Sequence, residues 1–211
     1  MDLVVRGPGE SGKRVRLSPD ERREQLIVLG VAMLGERALE DISVGDIAEQ
    51  AGISRGLLFH YFPSKQDFHL AIVRRANAEL LARTAPDQNL GLFDMLRDAV
   101  SRYIHYVAEN RTSYLALLRG PASASPELVE LVDQTRGTIV DRILAEAPIP
   151  AEDPDRPRLR LAVRGWIAFV EETTLSWLRH ETIGREQLID MLVESLPALA
   201  LNQDLTAALR E

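Results

Sequence analysis

The chain of 211 residues has no cysteine. That absence removes disulfides, thiolate metal sites and cysteine nucleophiles together, and it predicts a cytoplasmic protein. No apolar run approaches the ~18 residues that suggest a membrane span, and no charged start followed by a long apolar stretch marks an export signal. The expectation is therefore a protein without membrane contact. Aromatic residues make up only 5%. The four histidines (His60, His69, His105, His180) form no H-x-x-x-H pair, and none follows a glutamate by three residues. Zinc and di-iron helices are not expected. Strand alternation bounded by hairpin turns is also missing. Glu171 and Glu172 are neighbours in sequence and so point to different helix faces, which argues against a paired-acid site. No hydrolase elbow, no cofactor and no catalytic activity are expected.

What is present is ordinary for a globular chain: 45% apolar residues, 27% charged residues and a net charge of -7. The charge is unevenly placed. Residues 1–75 hold eleven basic and eleven acidic side chains, whereas the remainder holds fourteen basic against twenty-one acidic ones. The front of the molecule is therefore repelled less strongly by phosphate than the rest. Lys13, Arg14, Arg16, Arg22 and Arg23 stand there as candidates for a backbone or minor-groove arm.

Residues 7–13 imitate a phosphate-binding loop, with Gly7, Gly12 and Lys13 at the required spacing. Arg14 occupies the place of the magnesium-binding hydroxyl, however, and Pro19 would interrupt the helix that must follow. A nucleotide site is not expected.

The pattern throughout is helical. Ser18-Pro19-Asp20-Glu21 is a strong helix start, with a capping serine, proline at the first helical position and Glu21 closing a capping box. Ser43 with Asp46 and Ser64 with Asp67 repeat that grammar. A long helix from Ser64 to about Arg83 is predicted, then helices from Leu92, around Ser113–Leu118, from Ser125 to about Ala147, from about Arg158 to His180, and one beginning near Arg185 after a Gly184 break. Pro197 should kink the last of these. The architecture expected is all-α with about nine helices, divided into a flexible basic arm (1–17), a three-helix DNA-binding unit (18–63) and a larger helical domain for ligand binding and dimerisation (64–211).

The most informative stretch runs from Ile42 to Phe62. Val44, Ile47, Ala48 and Ala51 recur at one-turn spacing, Gly52 can take the positive φ that an abrupt helix end demands, and Ser54 caps a second short helix. Two short helices about a tight turn are the layout of a helix-turn-helix, whose second helix enters a DNA major groove. Val44, Ile47, Ala48, Ile53, Leu58 and Phe62 read as core.

The segment from about Glu24 to Ile72 resembles the TetR family of bacterial transcriptional regulators. The matching text is Ser43-Val44-x-Asp46-Ile47-Ala48-Glu49-x-Ala51-Gly52-Ile53-Ser54-Arg55-Gly56, then Leu58-Phe59-His60-Tyr61-Phe62-Pro63-Ser64-Lys65. The resemblance implies a repressor-type homodimer that binds a palindromic double-stranded DNA operator and is released by a small, apolar effector. It implies that Ser43 bonds a phosphate, that Ser54, Arg55, Gly56 and Leu57 approach base edges, that Phe59, His60 and Tyr61 meet bases or backbone, and that Lys65 holds a phosphate. Arg55 is the candidate for a bidentate guanine contact. Phe59 and Leu57 stand where the family often has tyrosine and threonine, and Ala38 stands where glycine is common, so that turn should differ.

In the C-terminal half, Tyr103, His105, Trp166, Phe169, Thr173 and Trp177 are candidates for an effector pocket. Leu188, Met191, Leu192, Ser195, Leu199 and Leu205 form a stripe expected at the dimer surface. The alternative is a dimeric small-molecule sensor that acts through a protein partner without sequence-specific DNA binding.

Overall fold

Ser18 opens the first helix as its sequence predicts: its amide donates to Glu21 Oε2 at 2.7 Å while its hydroxyl accepts from the Glu21 amide at 3.2 Å. The computed structural model describes residues 17–119 and 125–200, and among these it is all-helical. In order come α1 (Pro19–Leu34), a 3-10 turn (Leu39–Asp41), α2 (Val44–Gln50), α3 (Arg55–Tyr61), α4 (Lys65–Arg83), α5 (Leu92–Glu109), α6 (Arg111–Arg119), α7 (Pro126–Glu146), α8 (Arg156–His180) and α9 (Arg185–Ala200). The phosphate-loop imitation at 7–13, the arm residues Lys13, Arg14 and Arg16, the break at Gly120-Pro121, and Leu205 lie outside the described residues.

Two apolar cores share one helix. Leu26, Leu34, Leu39, Ile47, Leu58 and Phe62 meet Phe68, Ile72 and Val73 from the first half of α4, and Leu128 of α7 joins them. Leu80, near the other end of α4, belongs to the second core with Val100, Ile104, Val163, Trp166 and Leu192. At 1.5 Å per residue, the 19 residues of α4 form a rod of about 28 Å that is anchored in both. Gly30 of α1 lets this rod approach closely; a Cβ there would stand 2.5 Å from Ile72 Cδ1.

Two expected capping boxes are corrected. Asp46 does not return to the Ser43 amide, because its carboxylate pairs with Arg37 at 3.2 Å; Ser43 still caps α2 by accepting from the Asp46 amide at 3.0 Å. At α4 the Ser64 hydroxyl donates to Asp67 itself at 2.7 Å, so the reciprocal backbone bond of a capping box is again absent. The turn at Ala38 differs from a glycine bend as expected: Ala38 takes an ordinary extended conformation (φ -66°) and leads into the 3-10 turn. Helix α8 ends at His180 as expected, capped by Glu181 in the left-handed region with φ 44°, and Gly184 separates it from α9. Pro197 lies inside α9, as expected, and the helix runs on to Ala200.

Candidate nucleic-acid interface

The turn between α2 and α3 is built by backbone hydrogen bonds. The Gly52 amide donates to Glu49 O at 3.0 Å and the Ile53 amide to Ala48 O at 2.9 Å, with Gly52 at φ 65°. This is the Schellman ending, which only a residue at ease in the left-handed region completes cheaply. Ile53 then packs back on the core, and Ser54 caps α3 by accepting from the Leu57 amide at 3.2 Å. Gly52-Ile53-Ser54-Arg55-Gly56 does spell the G-x-S-x-G string of hydrolase elbows, against the expectation of none. Here it joins two helices, not a strand and a helix, and the serine hydroxyl is engaged as a cap.

Helix α3 shows one side to its own core and the other to solvent. Leu58 is wholly buried, while Leu57 and Phe59, equally apolar, are 39% and 46% exposed. Arg55, Gly56 and His60 are exposed as well, and Tyr61 is half-buried against the core, its ring edge-on to His60. Arg55 folds back over α2, where a Cβ on Gly45 would stand 2.6 Å from its Nη2. Among the described residues it has no carboxylate partner. Ser43 and Ser54 sit one at the head of each motif helix, and Lys65 opens α4 with its Nζ donating to Glu40 O at 3.0 Å. A cation on the first turn of a helix is disfavoured by the helix dipole, so Lys65 gains nothing there from α4 itself.

His69 supports this face from behind. Its Nε2–H donates to Ile42 O at 3.1 Å, and burial holds its pKa below the ordinary histidine value, with the Lys65 charge acting in the same direction. The Arg23 guanidinium covers the Phe62 ring, 4.9 Å from its centroid.

A cavity of about 260 Å³ lies between α4, α5, α6, α7 and α8, with Val31 and Leu34 of α1 and Leu196 and Pro197 of α9 also on its wall, just under the ~300 Å³ at which ligand pockets usually begin. Of the residues expected there, Tyr103 and Trp166 line it. The other four do not. His105 points outward to Glu109 (3.1 Å), and Phe169 is 37% exposed because the buried stripe of α8 centres on Val163, Ile167, Val170 and Thr174. Thr173 falls at the edge of that stripe, and Trp177 is buried about one turn further along, its Nε1 donating to Ile183 O at 2.7 Å. The sequence reading missed Tyr114, Arg136 and Glu171 on the cavity wall. The Glu171-Glu172 divergence was the available signal: the first pairs inward with Arg136, the second outward with Arg119.

The expected dimer stripe is also divided. Leu188 and Leu192 are 0% exposed, taken up by the subunit's own core, and Ser195 accepts from Trp166 Nε1 at 3.0 Å. Among the described residues of the stripe, only Met191 (41% exposed) and Leu199 (53%) look outward.

A helix-turn-helix with an open second helix, joined through one rod to a helical domain with an apolar cavity, defines a DNA-binding transcriptional regulator. The comparisons agree. Residues 26–72 match the family described as bacterial regulatory proteins, tetR family, and residues 92–199 match the tetracyclin repressor-like C-terminal domain. A tetR-family transcriptional regulator from Streptomyces coelicolor is 34% identical with a TM-score of 0.79, the alignment covering 92% of this chain and 89% of that one. The chain belongs to the TetR family of bacterial transcriptional regulators. It is also 23% identical over 200 residues to the HTH-type transcriptional activator FasR of Mycolicibacterium smegmatis, covering 90% of this chain and 87% of that protein. The fold alone is shared with FadR from Bacillus subtilis, solved in complex with stearoyl-CoA (17% identity, TM-score 0.62, 82% of this chain and 96% of that one). Among the described residues no helix is long and apolar enough to cross a membrane.

Proposed function

We propose that the protein is a homodimeric, effector-released repressor that works in the cytoplasm by binding and not by catalysis. The observation that carries the reading is the open face of α3, where apolar Leu57 and Phe59 stand exposed beside an unpaired Arg55 on a helix otherwise locked into the core. Arg55 reads a guanine edge through its two-pronged fork, Gly56 admits the DNA backbone, and Leu57 and Phe59 pack on thymine methyls. Ser43 and Ser54 accept from helix amides and keep their O–H groups for phosphate or base, while His60, Tyr61 and Lys65 contact the backbone.

Dimerisation uses the outward faces of α8 and α9, where Leu161 (72% exposed), Phe169, Met191 and Leu199 leave apolar surface uncovered. A two-fold pair then sets its recognition helices about one DNA turn, roughly 34–36 Å, or a multiple apart.

The effector sits in the cavity and acts on α4, whose backbone is held from the cavity wall. Arg142 donates to Leu81 O at 2.6 Å, Tyr106 to Ala76 O at 3.3 Å, and the Asn77 side chain to Thr135 Oγ1 at 2.9 Å. Occupancy that repacks these contacts shifts the rod and its recognition helix, with a coupling of about 1–3 kcal/mol. FadR's complex with stearoyl-CoA, a molecule with a long apolar acyl chain, supports a small-molecule effector for a protein of this fold. Gel shifts with promoter fragments of the source genome test the reading. Selective, salt-sensitive binding to a palindromic fragment is expected; binding without sequence preference would sink it.

A further inference from the structure

Most of the cavity wall is aliphatic, from Leu96, Val100, Leu117, Ile139, Val163 and Ile167. One cluster is polar. The phenol oxygens of Tyr103 and Tyr114 lie 2.8 Å apart, with their rings edge-to-face. Thr174, 0% exposed, lies behind that wall and adds its hydroxyl beside the Tyr103 phenol. Arg136 grips Glu171 with Nε–H to Oε1 at 3.0 Å and Nη2–H to Oε2 at 2.6 Å. Burial pushes both phenols well above the ordinary tyrosine range, so they remain neutral O–H groups.

The hydrogens can be counted. The two phenols on the wall carry two O–H donors, and the bond between them uses one. A buried donor left over calls for an acceptor oxygen. Charge, by contrast, is already balanced: the one guanidinium of the cluster is held bidentately by the one carboxylate, a geometry that satisfies both. A second carboxylate seated there would face Glu171, and the other guanidinium on the cavity wall, Arg142, lies six residues further along α7 and donates to Leu81 O.

Resting on the effector-cavity reading above, we infer that the cavity selects an uncharged, largely apolar molecule with one acceptor oxygen, such as a ketone, ester or alcohol. Its oxygen is seated on the Tyr103 and Tyr114 hydroxyls, and the Arg136–Glu171 pair discriminates against carboxylates. Glu171 is thus a specificity residue that works by repulsion.

Calorimetric titration of the full chain with 2-decanone and with decanoate at neutral pH tests this. The ketone should bind roughly tenfold or more tightly than the acid, the difference a single unpaired charge commonly makes. Tyr114→Phe should weaken the ketone selectively, and Glu171→Gln should raise decanoate affinity by freeing Arg136. Thermal melts identify any variant that fails to fold, and the wild-type preference stands without them. Decanoate binding as tightly as the ketone overturns the inference but leaves the effector site standing. Binding of neither probe overturns both.

Discussion

Arg55 lays its guanidinium against the backbone of Gly45, so closely that a Cβ there would stand 2.6 Å from Nη2 and 3.0 Å from Cζ. The first helix of the motif therefore presets the arginine carried by the second. Such preorganisation lowers the ordering cost of a DNA contact.

Gly45→Ala should separate folding from binding. Arg55 is exposed and can swing away, and alanine in a helix is favoured over glycine by up to ~1 kcal/mol. Stability in urea should hold or rise, while operator affinity should fall by about 1–3 kcal/mol, the worth of one bidentate base contact. Unchanged affinity would show that the stacking over Gly45 has no role in binding.

The same change at Gly30 should act oppositely. Its Cβ would meet Ile72 Cδ1 at 2.5 Å and Phe68 Cζ at 3.2 Å, and both partners are wholly buried. Overpacking costs about 1–3 kcal/mol, against a helix-propensity gain of at most ~1 kcal/mol. Net destabilisation of about 1 kcal/mol in urea unfolding is expected.

Arg55→Ala and Lys65→Ala should differ in kind. The first should cost about 1–3 kcal/mol on the preferred operator and relax base choice at one position. The second should weaken all sequences alike and make the slope of affinity against salt shallower by about one ion. Gel shifts across a salt series distinguish them; identical behaviour would remove one of the two roles.

His69 should make stability depend on pH. Its folded pKa is lowered, chiefly by burial. The unfolded chain thus takes up the proton first as pH falls. Stability is full above the unfolded value near 6.5 and declines as pH drops below it toward the folded pKa. His69→Gln should flatten urea midpoints over that window; an unchanged decline would assign it to other groups.

Glu181 ends α8 at φ 44°, a region costly for a residue with a Cβ. Glu181→Gly should stabilise the chain by about 0.5–1 kcal/mol in chemical unfolding, and a loss of stability would mean that its side chain contributes more than the backbone costs.

The motif was legible because its signals are local and independent. Ser43, Gly52 and Ser54 each perform the cap or turn that their residue type suggests, within three or four residues of their partners. The two glycines that matter through distant partners were not legible. Gly45 and Gly30 look like ordinary helix interruptions until Arg55 and Ile72 are brought against them by the fold. The cavity was read poorly for a similar reason. Trp166, Phe169, Thr173 and Trp177 share a spacing, but spacing does not say which edge of a buried stripe faces the hole. Nor does it show that Arg136 of α7 crosses to Glu171 of α8.

Sequence by itself determined the number, ends and order of the helices and the identity of the recognition helix, because caps, prolines and apolar periodicity act over a single turn. Tertiary structure alone decided which outward apolar residues remain for a partner, which polar groups meet in the cavity, and that Leu188 and Leu192 face inward. Those outcomes depend on the packing of helices distant in sequence, and an apolar stripe reads the same whether its own subunit or another molecule covers it.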